Sequence, residues 1–284
     1  MALVMSAALC MAVLFLLFKV FDRRNIALLP AIVINYFTAS LCGTLVSPPW
    51  QLGDLSTLGL PVVVLGVLFI TLFYLTGLST QRAGVAVTSV SSKMSLVLTV
   101  LAAVLLHDER PSAVEWMGIA LALAGVVLAS WSTGTPGARG VWLLPLLLFL
   151  GNAAIDITLN ATQRTLLTPA TEPVFPTLIF TLAGLLGVGW MLATRTLQQL
   201  RDTRVIIAGV VLGLVNYASL YFVVGALARS GLAASSVFPL MNIGVILFGT
   251  LASMLLFKER LRAVQWVGLT CAVIALVLIL SPGT

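Results

Sequence analysis

Charge is what this sequence has least of: 8% of its 284 residues are Asp, Glu, Lys or Arg. Soluble domains carry about 25%, so a water-exposed globule is excluded. A single histidine leaves no His-Glu-x-x-His zinc motif. The three cysteines, Cys10, Cys42 and Cys271, fall in separate apolar stretches, spaced for neither a disulfide framework nor a metal site. No Walker-type glycine loop occurs, which excludes transport powered by ATP bound to this chain. No paired intramembrane Asp residues suggest an aspartyl protease. No filter sequence or ring of like charges points to a selective channel. None of these patterns calls for a cofactor or a metal.

What is abundant is apolar length. The chain is 60% hydrophobic, with a mean hydropathy of +1.14. A membrane-crossing helix needs about 20 apolar residues. Ten such stretches are read at 2–20, 27–46, 57–79, 84–106, 113–131, 141–160, 173–194, 204–228, 232–256 and 263–281. Their continuity favours helices over a barrel, whose strands alternate apolar and polar residues. The expected fold is an all-α integral membrane protein. The first stretch has no preceding Lys or Arg and no small-residue cleavage site, so it reads as a span and not as a cleaved leader.

The net charge of +6 gathers at span ends, not in one patch, which argues against nucleic acid as a partner. Loops assigned alternately to two sides divide the cations eleven to three. The richer side holds Lys19, Arg23, Arg24, Arg82, Arg139, Arg195, Arg201, Arg204, Lys258, Arg260 and Arg262; the other holds Arg110, Arg164 and Arg229. The positive-inside rule then puts both termini outside the cytoplasm.

The chain also repeats itself. His107-Asp108-Glu109-Arg110 corresponds to Phe257-Lys258-Glu259-Arg260, and Ala113-Val114-Glu115-Trp116-Met117-Gly118 to Ala263-Val264-Gln265-Trp266-Val267-Gly268, at an offset of 150. Phe73-Tyr74 and Gly77 match Tyr221-Phe222 and Gly225 at an offset of 148. Residues 1–131 and 141–284 are thus read as two five-helix units joined by a Gly/Ser/Thr-rich linker, 132–140. An odd number of helices inverts the second copy, the architecture of carriers with a midplane site.

The Glu-Arg pairs after the fourth and ninth spans, each followed by a Gly-containing apolar helix, resemble the EamA-type members of the drug/metabolite transporter superfamily. The resemblance covers nearly the whole chain. It implies ten helices, alternating access, a cavity lined mainly by spans 1, 3, 4, 6, 8 and 9, and export of amino acids or other small metabolites. It also implies termini in the cytoplasm, against the charge count.

Two ionisable residues lie well inside spans, where a charge costs about 2.5–3.5 kcal/mol on insertion scales. Lys93 falls near the middle of the fourth span, sharing a face with Ser89 and Ser92. It reads as an ammonium for a substrate carboxylate or phosphate, as a proton-linked gate, or as half of a fixed ion pair. Asp156 shares the sixth span's polar face with Asn152 and Asn160, continued by Gln163. It reads as a ligand for a substrate ammonium, a proton carrier, or a structural partner for Lys93 or Arg164. Together Lys93 and Asp156 would suit a zwitterion.

Neutral candidates are Asn35 and Thr38 in span 2, Tyr74 in span 3, Asn216, Tyr217 and Tyr221 in span 8, and Ser235, Pro239 and Asn242 in span 9. Each serves equally as packing glue. Gly118, Ala122 and Gly125 in span 5 and Gly268, Ala272 and Ala275 in span 10 permit close helix approach, within the chain or in a homodimer. His107 reads as solvated, and Asn160-Ala161-Thr162 is a weak sequon.

The leading expectation is a multi-pass secondary transporter in a cell membrane, working as a monomer or homodimer, with proton coupling open. Its substrate set is Lys93, Ser89, Ser92, Asn152, Asp156, Tyr74, Asn216, Tyr217 and Asn242. A lipid flippase or a membrane-embedded enzyme on lipid substrates is the alternative.

Overall fold

The computed structural model describes residues 1–51, 56–107, 113–131, 143–168, 170–230 and 234–280. Among them there are helices and no strands. The α-helices are α1 Ala2–Arg23, α2 Leu28–Val46, α3 Gly59–Ala83, α4 Val85–Lys93, α5 Leu96–His107, α6 Ala113–Trp131, α7 Leu143–Thr165, α8 Phe175–Ala193, α9 Thr203–Arg229, α10 Ala234–Phe257 and α11 Ala263–Leu280.

Among the described residues, seven helices are long and apolar enough to cross a membrane: Ala2–Arg23, Leu28–Val46, Gly59–Ala83, Leu143–Gln163, Phe175–Ala193, Thr203–Ala226 and Val237–Phe257. Three shorter apolar stretches, Val85–Thr99, Trp116–Ala129 and Ala263–Leu278, fall in the remaining places. Leu45, Leu60 and Leu255 are 76%, 76% and 79% exposed. Large apolar side chains turned outward on apolar helices are what hydrocarbon surroundings require. This is a multi-pass helical membrane protein.

The fourth expected span departs from the sequence reading. Residues 84–106 form two helices, α4 and α5, parted at Met94 and Ser95. The cause is local. Ser95 Oγ donates to the Ser92 carbonyl at 2.8 Å, and Thr99 Oγ1 donates to the Ser95 carbonyl at 3.4 Å. The amides of Val97 and Leu98 reach back only three residues, to Met94 and Ser95. Serine side chains that bond nearby carbonyls compete with the helical ladder and bend it.

Helix ends on the cation-rich loops use non-glycine residues in the left-handed region. Asn25 (φ 52) ends α1 and Arg195 (φ 55) ends α8. Ile26 N–H bonds the Phe21 carbonyl and Thr196 N–H the Met191 carbonyl, both at 2.9 Å, closing Schellman motifs. Lys258 (φ 57) ends α10.

The contacts divide the chain into two units, each drawing on both sides of the linker. The first is Met1–Lys19, Thr76–Ala153 and Ala218–Thr284. One of its cores joins α4, α6, α10 and α11 around Val90, Met94, Ala122, Ile246 and Ala272. A second joins α1, α9 and α10 around Val4, Phe15, Val223 and Met241, with Val85. The small-residue stripes meet here, within the chain. A Cβ on Gly268 would stand 2.5 Å from the Ala129 amide nitrogen, and one on Gly125 would stand 3.0 Å from the Gly268 carbonyl oxygen. Backbones this close tolerate only the smallest side chains.

The second unit is Val20–Leu75 and Ala154–Tyr217. Here α2 packs on α8, and Ser40 and Thr181 hydroxyls bond at 2.7 Å. Tyr36 is wholly buried, donates to the Phe69 carbonyl at 2.7 Å, and lies 5.6 Å from Phe73 between ring centroids. Gly213 of α9 abuts α2, where a Cβ would come within 2.7 Å of the Asn35 carbonyl oxygen.

Candidate functional site

In the first unit, the break moves Lys93 from mid-span to the last residue of α4. The helix ends there, where the Met94 N–H bonds the Val90 carbonyl at 2.9 Å and Ser95 Oγ takes the Ser92 carbonyl. The negative end of the helix dipole favours a cation at that position. Lys93 is half-buried, and its Nζ lies 3.6 Å from Met11 Sδ on α1. A thioether is a weak acceptor.

The same face holds the two predicted serines. Ser89 is fully buried, and its Oγ donates to the Ala86 carbonyl at 3.0 Å. Ser92 is buried, and its Oγ finds no hydrogen-bond partner among the described residues. A buried hydroxyl left this way costs about 1–3 kcal/mol. Asn242 is buried on α10, the helix that packs along α4. Asn152 of α7 turns its Nδ2 onto its own helix, at the Leu148 carbonyl, 2.7 Å away.

In the second unit, Asn216 Nδ2 of α9 donates to Asn35 Oδ1 of α2 at 3.2 Å. Asn35 is wholly buried, and its Nδ2 has no partner among the described residues. Tyr217 follows Asn216 on α9, half-buried. Tyr74 packs edge-on against Trp190 at 5.0 Å between centroids. Asp156 is half-buried, and its backbone carbonyl accepts Asn160 Nδ2 at 3.0 Å. The side chains of Asn152 and Asn160 are thus turned to carbonyls four residues back. The expected polar stripe on α7 is partly spent on its own helix.

The structure therefore brings Ser89, Ser92 and Lys93 onto one short helix, and Asn216 onto Asn35. Lys93 belongs to the first unit and Asp156 to the second. From the sequence, Asn35 stands only among the neutral candidates, and the break after Lys93 is not expected. The serine run Ser91-Ser92 with Ser95 was the available signal for the break. Pro239 lies inside α10, as expected. The side chains of His107 and Ser235, and residues 108–112 and 132–140, lie outside the description. Among the described residues no group of three His, Cys, Asp or Glu side chains is placed to hold a metal.

Comparison with known proteins adds three findings. An uncharacterized protein of Haemophilus influenzae is 27% identical over 274 residues, spanning 93% of this chain and 92% of its own length. A solved crystal structure of a protein shares the fold, with a TM-score of 0.60 at 15% identity over 96% of this chain and 97% of that one. The third finding concerns the family: residues 1–131 match the model of the EamA-like transporter family, consistent with the drug/metabolite transporter superfamily.

Proposed function

We propose that the whole chain is a secondary transporter of small polar metabolites such as amino acids, acting as an exporter by alternating access in a cell membrane. The EamA-like match supports the transporter class. On this reading the three shorter apolar stretches complete ten crossings, arranged as two inverted five-helix repeats.

The observation that carries the substrate reading is the broken fourth stretch. It ends α4 at Lys93, beside buried Ser89 and Ser92. Discontinuous helices near the midplane recur at carrier substrate sites, and irregular backbone at that depth must be buried in protein or line a water-filled cavity. Lys93 is the anchor for a substrate carboxylate, with Ser92 Oγ as a neighbouring hydrogen-bonding group and Asn152 and Asn242 as further polar contacts of that unit. In the second unit, Asp156, Tyr74, Asn216 and Tyr217 are the remaining polar candidates of this reading, Asp156 as a group for an ammonium.

Thermal unfolding of purified protein against the common L-amino acids tests this. A ligand at 100 times its Kd stabilises the protein by about 2.7 kcal/mol. Wild type shifts with its substrate and Lys93→Ala does not. An equal shift in the variant removes Lys93 from the site, and no shift in wild type overturns the amino-acid reading.

A further inference from the structure

The N-terminus of α4 has no cap of its own. Gly84 stands at the N-cap position and offers no side chain to the free amides. The acceptor comes from 174 residues away: Glu259 Oε2 accepts the Val85 N–H at 3.3 Å. Lys258, at φ 57, ends α10, and the Glu259 amide turns back to the Ser253 carbonyl at 3.4 Å. That turn aims the carboxylate at α4.

Gly84 suits this cap by its backbone and by the space it leaves. Its φ of +93 disfavours other residues, and a Cβ there would stand 3.3 Å from each Glu259 carboxylate oxygen. Lys19 of α1 completes the cluster. Its Nζ is 3.7 Å from Glu259 Oε1 and donates to the Gln81 carbonyl at 3.2 Å. Gln81 Nε2 donates in turn to the Phe18 carbonyl at 3.4 Å. The Lys19 and Glu259 side chains are 17% and 16% exposed, so water screens this pair less than it would a surface pair. One carboxylate thus ties the end of α1 and the segment after α10 to the start of α4.

The far end of α4 is Lys93. It lies eight residues on from Val85, about 12 Å along a helix. We infer that Glu259 is a positioning residue for Lys93: by capping α4 from the loop between spans 9 and 10, it sets where the helix carries its ammonium. The inference rests on the reading of Lys93 as substrate anchor. In sequence, Glu109 stands in the place of Glu259, and Arg82-Ala83-Gly84 matches Arg229-Ser230-Gly231 at an offset of 147. Glu109 and Gly231 lie outside the described residues.

The test uses the full chain in lipid nanodiscs, as wild type, Glu259→Ala and Glu259→Gln. Hydrogen exchange follows the amides of residues 85–88, and the ¹³C-methyl resonance of reductively dimethylated Lys93 reports that side chain's surroundings. In Glu259→Ala those amides exchange roughly tenfold faster, as loss of a hydrogen bond to a charged group predicts, and the Lys93 resonance moves. Glu259→Gln keeps an acceptor but not the charge; it falls between, and it carries the comparison should the alanine variant fail to fold. Native exchange in both variants overturns the cap. Faster exchange with an unmoved Lys93 resonance overturns the positioning role. Neither readout needs substrate, whereas the reading of Lys93 itself stands or falls on Lys93→Ala in the amino-acid screen, so the two failures are told apart.

Discussion

Asn216 on α9 donates its side-chain N–H to Asn35 on α2 across 3.2 Å, and Asn35 is wholly buried. The bond forms where Gly213, one turn earlier, lets the two backbones close. A double-mutant cycle with Asn35→Ala and Asn216→Ala, read by SDS unfolding, is expected to give a coupling of about 0.6 kcal/mol and no more than about 1.7 kcal/mol, the range of interhelical hydrogen bonds in membranes. A coupling of zero would mean the two amides act separately.

Asp156→Asn removes a charge without removing volume. If Asp156 holds a substrate ammonium, export of zwitterions falls by at least tenfold, while the protein still reaches the membrane in wild-type amount. Wild-type export by this variant ends its proposed role.

Gly268→Leu forces a branched side chain onto the Ala129 backbone, where a Cβ alone would stand 2.5 Å from nitrogen. Overpacking of this kind costs about 1–3 kcal/mol. The expected result is a lower midpoint of thermal unfolding, with Gly189→Leu as control, since nothing lies within 4 Å of a Cβ there.

Arg195→Gly should stabilise. Arg195 holds φ 55 on an exposed loop. The left-handed conformation costs an L-residue about 1–2 kcal/mol, and the added flexibility of glycine in the unfolded chain offsets about half of that. A rise in the unfolding midpoint checks it.

The cation bias makes a prediction about sidedness. With Cys10, Cys42 and Cys271 replaced by alanine, a single cysteine at exposed Gln198, beside Arg195, Arg201 and Arg204, should resist impermeant thiol reagents in intact cells and react once they are opened. Labelling in intact cells would place this loop outside and favour the orientation that the family resemblance implies.

Most of the helix boundaries were legible because lipid imposes a simple rule: long apolar runs, ended by cations. Ala2–Arg23 and Phe175–Ala193 lie within a few residues of the stretches read at 2–20 and 173–194. The break after Lys93 was not legible, because hydropathy does not register which carbonyl a serine hydroxyl selects. Periodicity puts Asn152, Asp156 and Asn160 on one face of α7, but the two asparagines turn to carbonyls of their own helix, a choice that periodicity does not reveal. The carboxylate of Glu259 was visible only as a repeat marker. Its partner amide at Val85 is 174 residues away and belongs to a backbone, which sequence patterns do not mark.

The close fit of α6 against α11 has a consequence for how the polypeptide is held together. These helices come from opposite sides of the linker, yet they meet backbone to backbone through Gly125 and Gly268. Covalent continuity between them is then expected to be dispensable. Separately encoded fragments 1–131 and 141–284 would find each other in the bilayer by this seam and co-purify, and a bulky residue at Gly268 would abolish the complementation.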